Sequence, residues 1–240
     1  MPYSSNSLLN SLPAADIAVL RPHLRTVDLP QETILFEVGD PIHQVYFPHS
    51  GIVSLVVSLA SGETIESAMI GRESLVGGSA GLNGHESVCK AVVQIAGSAS
   101  VVDADWLRSL ALTSAPCRAT LFRHEQLILV QAQQSAACNA THTVEARLAR
   151  WLLRARDLQG SDDLVLTQEF LGQMLGVRRT SVSVVANTFQ QAGCIRYSRG
   201  HIRIRDLEGL REITCECYQT VKLQAERLLG SPDNSIAFSK

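Results

Sequence analysis

The 240-residue sequence predicts an α+β chain in three parts: an N-terminal β-roll, a long helix and a C-terminal winged helix-turn-helix. Three observations carry that reading. Short β-rich segments alternate with turn signals over residues 26–104. Residues 119–158 contain neither Gly nor Pro. Beyond residue 164, two short helical patterns are followed by an alternating, arginine-rich hairpin. Composition agrees with a folded chain, since 45% of residues are hydrophobic and 18% charged. The net charge of −2 argues against a coat of nucleic acid over the whole surface and leaves room for one basic patch. No apolar run reaches the roughly 18 residues a membrane helix needs. The start, Met1-Pro2-Tyr3-Ser4-Ser5, lacks the basic and apolar regions of a secretory signal, so a cytoplasmic protein without a membrane partner is expected.

Taken in order, residues 6–25 place Leu8, Leu9, Leu12, Ile17, Leu20 and Leu24 at roughly helical spacing, with a break at Pro13. Residues 51–59 make the clearest strand, with Ser61-Gly62 as a hairpin turn after it. Two further strands are expected at 91–95 and 99–102. Turns fall at Gly39-Asp40-Pro41, Pro48-His49-Ser50-Gly51, Gly77-Gly78 and Asn83-Gly84. Many short strands between such turns make a small all-β barrel or jelly roll. A short helix starts near Asp105 and is broken at Pro116. The helix over 119–158 would be about 60 Å long if unbroken. A heptad laid on it aligns Leu127, Val130, Gln134, Ala137, Thr141, Val144, Leu148 and Trp151 in one seam, which a second copy of the chain would cover. A linker is expected at 159–163, a helical stretch at 211–229 and a frayed polar tail at 231–240.

The module at 164–212 carries the chemistry. Thr167 can cap a helix that runs through Phe170, Leu171, Met174 and Leu175 to Gly176. A second helix follows from Arg178-Arg179-Thr180-Ser181. Gly172 is small where the two must cross, Gly176 permits the turn, and Val182 is apolar where the second meets the first. A bland helical hairpin shares that pattern, so charge decides. Between 164 and 205 six arginines (178, 179, 196, 199, 203, 205) face Glu169 alone, giving +5 and leaving −7 for the rest. Such segregation is the footprint of a phosphate-binding surface. The hairpin at 195–205 turns at Gly200 and forms a basic wing. Double-stranded DNA is the expected partner.

These residues resemble the bacterial transcription regulators of the Crp/Fnr superfamily, over roughly residues 10–212. The most specific stretch is 166–205, including Leu171-Gly172-Gln173-Met174-Leu175-Gly176-Val177 and Thr180-Ser181-Val182. Residues 144–153 are similar to the end of the family's central helix, and Gly39, Gly51 and Gly62 match its turn glycines. The resemblance implies a cyclic-nucleotide-binding-like β-roll as effector domain at 1–118, a dimerisation helix at 119–158 and a DNA-binding domain at 159–240. It implies a homodimer on a palindromic site, with RNA polymerase as a further partner. Arg179 falls where the family reads a base, and its guanidinium fork suits guanine O6 and N7. Arg178 opens the same helix; Thr180, which stands where the family often has Glu, and Ser183 lie beside Arg179 and by the resemblance would contact base edges. Thr167, Gln168, Ser181 and the wing pair Arg199-Gly200 suit phosphates.

The effector cassette departs from the cyclic-nucleotide binders of that family. Their Gly-Glu-Leu, followed some ten residues later by Arg-Ser/Thr-Ala, supplies a carboxylate for the ribose and an arginine for the phosphate. Here Gly78 stands at the carboxylate position and Cys89 at the arginine position. Lys90 is a poor substitute, because adjacent residues of a strand point to opposite faces. Cyclic AMP is therefore not the expected effector, and a cyclic-nucleotide-responsive regulator is the alternative reading. No cofactor or metal is expected. The first cysteine is Cys89, too late for an N-terminal iron–sulfur ligand set, and the seven histidines are isolated. Cys215 and Cys217 would sit about 200° apart on a helix, poorly placed to share a metal. His124, Gln131, Gln134 and Cys138 form a polar stripe, expected in the dimer seam or in solvent. No His-x-His, Gly-x-Ser-x-Gly or Gly-Lys-Ser/Thr occurs, so no enzyme is expected.

Overall fold

The computed structural model describes residues 4–60 and 62–230. Ser61 of the expected hairpin turn and the tail at 231–240 lie outside the described residues. Helices α1 (Ser7–Asn10) and α2 (Ala14–Leu20) flank Pro13 as expected. Asn6 caps α1 and ties it to the roll, its side-chain amide donating to the carbonyls of Pro48 (2.9 Å) and Ser74 (2.8 Å).

Strands β1 (Arg25–Leu29), β2 (Ile34–Phe36), β3 (Gln44–Ser58), β4 (Thr64–Ile70) and β5 (Lys90–Asp103) form one antiparallel sheet. Its path runs β1-β5-β3-β4, with β2 also beside β5. Two expectations need correction. The segments at 91–95 and 99–102 belong to the single strand β5, and β3 runs straight through the turn expected at residues 48–51. The reason is a run of register shifts where β3 crosses β5. Gly51 has φ +80°, and a Cβ on it would sit 2.5 Å from the Ile95 carbonyl oxygen. Turn-forming residues here make bulges in a continuous, strongly bent strand.

Helix α3 (Ala104–Thr113) leads into α4 (Ala115–Thr141) and α5 (Val144–Gln159). Pro116 lies in the first turn of α4, behind a Ser114 cap, and so starts that helix. The unbroken helix expected over 119–158 is two helices. His142 and Thr143 are extended, Thr143 caps α5 by accepting from the Ala146 N–H, and Thr141 Oγ1 donates back to the Ala137 carbonyl (2.8 Å). A Thr-His-Thr run combines poor helix propensity with a strong cap. Of the expected seam, Ala137 and Thr141 are exposed and Val130, Gln134 and Val144 half-buried. Leu127, Leu148 and Trp151 are buried within their own chain. The exposed strip that α4 leaves outward steps through Phe122, Gln126, Leu129, Gln133, Ala136 and Ala140, in alternating intervals of four and three residues, and is apolar at four of the six.

The C-terminal part holds β6 (Asp163–Val165), α6 (Gln168–Leu175), α7 (Arg179–Gln191), β7 (Ile195–Ser198), β8 (His201–Ile204), α8 (Leu207–Ile213) and α9 (Cys217–Leu229). Asp163, expected in a linker, begins β6, which pairs with β8 in a small sheet of order β6-β8-β7. Helix α9 folds back along α4. One core joins Ile52, Val56 and Met69 of the roll to Trp151, Met174 and Val182. Among the described residues, no helix is long and apolar enough to cross a membrane.

Candidate nucleic-acid interface

The local sequence builds the interface in a few steps. Thr167 Oγ1 accepts from the Phe170 N–H (3.1 Å) and starts α6; Gly176, at φ +62°, ends it. A Cβ on Gly172 would approach the Val177 carbonyl oxygen to 2.9 Å, so only glycine permits this crossing of α6 and α7. Val182 is fully buried at the contact. Helix α7 starts at Arg179 behind Arg178, which makes no side-chain cap bond, so guanidinium groups gather at the positive end of the helix dipole. The wing turns through Arg199 (φ +47°) and Gly200 (φ +79°), a two-residue turn whose twist matches its strands. The Gly200 carbonyl accepts from the Leu166 N–H (2.7 Å), which brings the wing tip against the start of α6.

The nine residues singled out in the sequence lie at the start of α6, the start of α7 and the wing tip, which contacts of Thr167 with Gly200 and of Gln168 with Ser183 bring together. Thr167, Arg178, Arg179, Thr180 and Arg199 are exposed; Gln168, Ser181, Ser183 and Gly200 are half-buried. Ser183 Oγ donates to Gln168 Oε1 (2.6 Å) and lies 3.0 Å from the Arg179 carbonyl, so this pair ties α6 to α7. Sequence reasoning passed over Val184, which is 66% exposed although apolar. It follows Thr180 by four residues, and Asn187 and Gln191 continue the same exposed face. That spacing was the signal available for them.

This module is wired to the roll. Arg147 of α5 donates to the carbonyl of Leu175, the last residue of α6. Trp151 packs edge-on against Phe170, with centroids 5.8 Å apart, and donates its indole N–H to Glu66 of β4 (3.0 Å). Glu66 also accepts from Ser54. Burial pushes its carboxyl up to about 7, against the opposing pull of Ser54, Arg150, Trp151 and Arg154.

Two family models match the chain: the Cyclic nucleotide-binding domain over residues 26–114 and the Crp-like helix-turn-helix domain over 146–213. The chain belongs to the Crp/Fnr superfamily. A transcriptional regulator of the crp/fnr family from Eubacterium rectale is similar in structure (TM-score 0.68, 18% identity, 87% of this chain and 98% of that one). FixK2 from Bradyrhizobium japonicum gives 0.69 at 19% identity, covering 80% and 98%. The c-di-GMP responsive regulator CLP from Xanthomonas campestris gives 0.64 at 17%, covering 81% and 100%. None of the curated proteins compared with the chain matches it. The chain is thus a Crp/Fnr DNA-binding transcription regulator, not an enzyme.

The effector face of this Crp/Fnr member is packed against α4. A Cβ on Gly78 would lie 2.6 Å from Glu125 Oε1 and from Leu75 Cδ1, so a side chain there would have to displace the ends of those two side chains. His124 of α4, itself buried, fills the place and lies 2.6 Å from Ser74 Oγ. Lys90 pairs outward with Glu37 (2.9 Å), while Cys89 is close enough to Glu125 to feel its charge. The polar stripe on α4 turns inward, contrary to expectation. Gln131 accepts from the Met69 N–H, Gln134 donates to Cys217 Sγ, and Cys138 meets Cys215. The angular argument against Cys215 and Cys217 sharing a site also fails. Cys215 precedes α9 and only Cys217 is helical, so both sulfurs reach one place.

Proposed function

We propose that this regulator binds a palindromic DNA site as a homodimer, in a sequence-specific manner, under control of an effector acting on the roll. The observation that carries the reading is the exposed start of α7, with Arg178 and Arg179, in a module of charge +5 whose wing tip carries the exposed Arg199. Arg179 would read guanine, with Thr180, Ser183 and the apolar Val184 along the base edges. Arg178, Thr167, Gln168, Ser181 and Arg199-Gly200 would meet phosphates and set the register. In this division of labour residues 1–118 sense, 119–158 carry the pairing and 159–240 bind DNA. The strip through Phe122 and Leu129 supports pairing between two copies of α4. Cytoplasmic location and contact with RNA polymerase accompany the reading.

Selection of bound sequences from random DNA by the full-length protein tests it. The expected product is an inverted repeat with half-sites about one helical turn, roughly 10 base pairs, apart. A pool without enrichment, or with single unpaired half-sites, overturns it. The alternative, a cyclic-nucleotide-responsive regulator, draws on the family match over 26–114. Titration with cyclic AMP and cyclic GMP, followed by calorimetry, separates the two: Gly78 and Cys89 in place of the carboxylate and the arginine predict no saturable heat at micromolar ligand.

A further inference from the structure

The junction of α4, α5 and α9 holds a group of side chains that DNA binding does not use. Cys138 lies in the last turn of α4, His142 at the break behind it, Cys215 in the bend before α9 and Cys217 at the first position of α9. One donor atom from each lies within 4.8 Å of all the others. Cys138 Sγ is 3.6 Å from Cys215 Sγ, and His142 Nδ1 is 3.6 Å from Cys217 Sγ. A tetrahedral ion with bonds of about 2.3 Å to sulfur and about 2.0–2.1 Å to nitrogen sets sulfur–sulfur edges near 3.8 Å and sulfur–nitrogen edges near 3.6 Å. Two of the donor–donor distances already have that length. The compact spacing suits a single ion rather than a cluster whose ligands bind separate irons.

The surroundings fit as well. His142 turns Nδ1 to the sulfurs while Nε2 lies 3.3 Å from the Glu216 carboxylate, the outer contact that orients a metal-bound imidazole. Gln134 donates to Cys217 Sγ at 3.0 Å. Three thiolates around a divalent ion leave one negative charge, and two cations sit where they offset it: Arg150 acts on Cys138, and Arg147 on Cys138 and Cys215. The buried Nε of each arginine has no hydrogen-bond partner. All four donors lie outside residues 26–114 and 146–213, the stretches that the family models match.

We propose that Cys138, His142, Cys215 and Cys217 bind one soft divalent ion of the zinc class, which clamps α9 onto the break between α4 and α5 and so sets the direction of the DNA-binding module. Sulfur-rich tetrahedral donors select such an ion over harder cations. The link to the module is short. Arg147, one turn into α5, holds the Leu175 carbonyl at the end of α6. The regulatory half rests on the function proposed above; the metal half does not.

The full-length protein, freed of metal under reducing conditions and titrated with cobalt(II), tests the site. Expected are one ion per chain, the intense visible bands of tetrahedral cobalt, thiolate-to-cobalt charge transfer, and displacement by zinc. Cys138→Ser and Cys215→Ser should each lose the charge-transfer signal, while Cys89→Ser retains it. An octahedral cobalt spectrum, binding unchanged in both variants, or a Cys138–Cys215 disulfide in protein isolated with alkylated thiols overturns the site. Should the variants unfold, protection of three thiols from alkylation by zinc in the wild-type chain decides instead. Affinity for the selected DNA site should differ at least tenfold between zinc-loaded and metal-free protein. Equal affinities overturn the clamp and leave the metal site standing. Failure of both forms to select any DNA sequence, with cobalt still bound, overturns the proposed function and not the site.

Discussion

At the scale of single residues, position separates two arginines of equal charge. Arg179 opens α7, the helix proposed to enter the groove, whereas Arg199 sits at the tip of the wing with φ +47°. Arg179→Ala should cost about 1–3 kcal/mol of specific affinity per half-site and relax preference at one base pair. Arg199→Ala should weaken binding to all sequences alike and flatten the salt dependence, since a phosphate contact releases counterions. Affinities at two salt concentrations on matched and scrambled sites check both. Glu66 offers a second prediction. Its carboxyl is raised from 4.5 to about 7 by burial, so the folded state holds the proton more tightly than the unfolded chain. Stability is then fully present below the unfolded value and is lost as pH rises through about 7. A shift of that size corresponds to roughly 3 kcal/mol between about pH 4 and pH 8. Glu66→Gln should remove most of that slope while keeping a partner for Trp151. Denaturant melts across the range, wild type against variant, would show parallel curves if the buried carboxyl does not titrate there.

At the scale of elements, the helix-turn-helix depends on how closely two backbones approach. Gly172 leaves a Cβ no room, because the obstacle is the backbone carbonyl of Val177 and not the end of a flexible side chain. Gly172→Ala should therefore force α6 from α7 and lower stability by about 1–3 kcal/mol, with a matching loss of DNA binding. Thermal melts and binding to the selected site would reveal unaltered packing if both stayed unchanged. Element boundaries follow similar local reasons. Thr143, with its hydroxyl turned to the Ala146 N–H, ends one helix and begins another in a stretch that holds neither Gly nor Pro. The absence of strong breakers was an incomplete criterion, since a capping residue between poor helix formers suffices.

At the scale of the whole molecule, α4 serves several neighbours at once: the roll, α9 and an outward strip. Phe122 and Leu129 on that strip are 55% and 57% exposed and seven residues apart, so a second copy of α4 would cover both at once. The double substitution Phe122→Glu and Leu129→Glu should convert a micromolar dimer to a monomer without lowering the melting temperature of the roll. Sedimentation velocity of both proteins decides, and a dimer that survives both charges would move the pairing surface elsewhere.

The sequence alone determined the features that depend on neighbours along the chain. The alternation of turn signals and β-rich segments, the glycines and apolar positions of the helix-turn-helix, the arginine segregation and the missing carboxylate and arginine of the effector cassette were all legible, and with them the family. The tertiary structure decided everything that depends on which face meets which partner. Leu127 and Trp151 carry the same periodicity whether they meet a second chain or their own roll, so periodicity could not tell the covered side of α4 from the free one. Residues 48–51 read as a turn because local preference cannot report the long-range pairing with β5 that makes them bulges. Cys138 and Cys215 are 77 positions apart and meet only because α9 returns along α4. Such a contact is created by chain reversal and packing, and no local pattern encodes it.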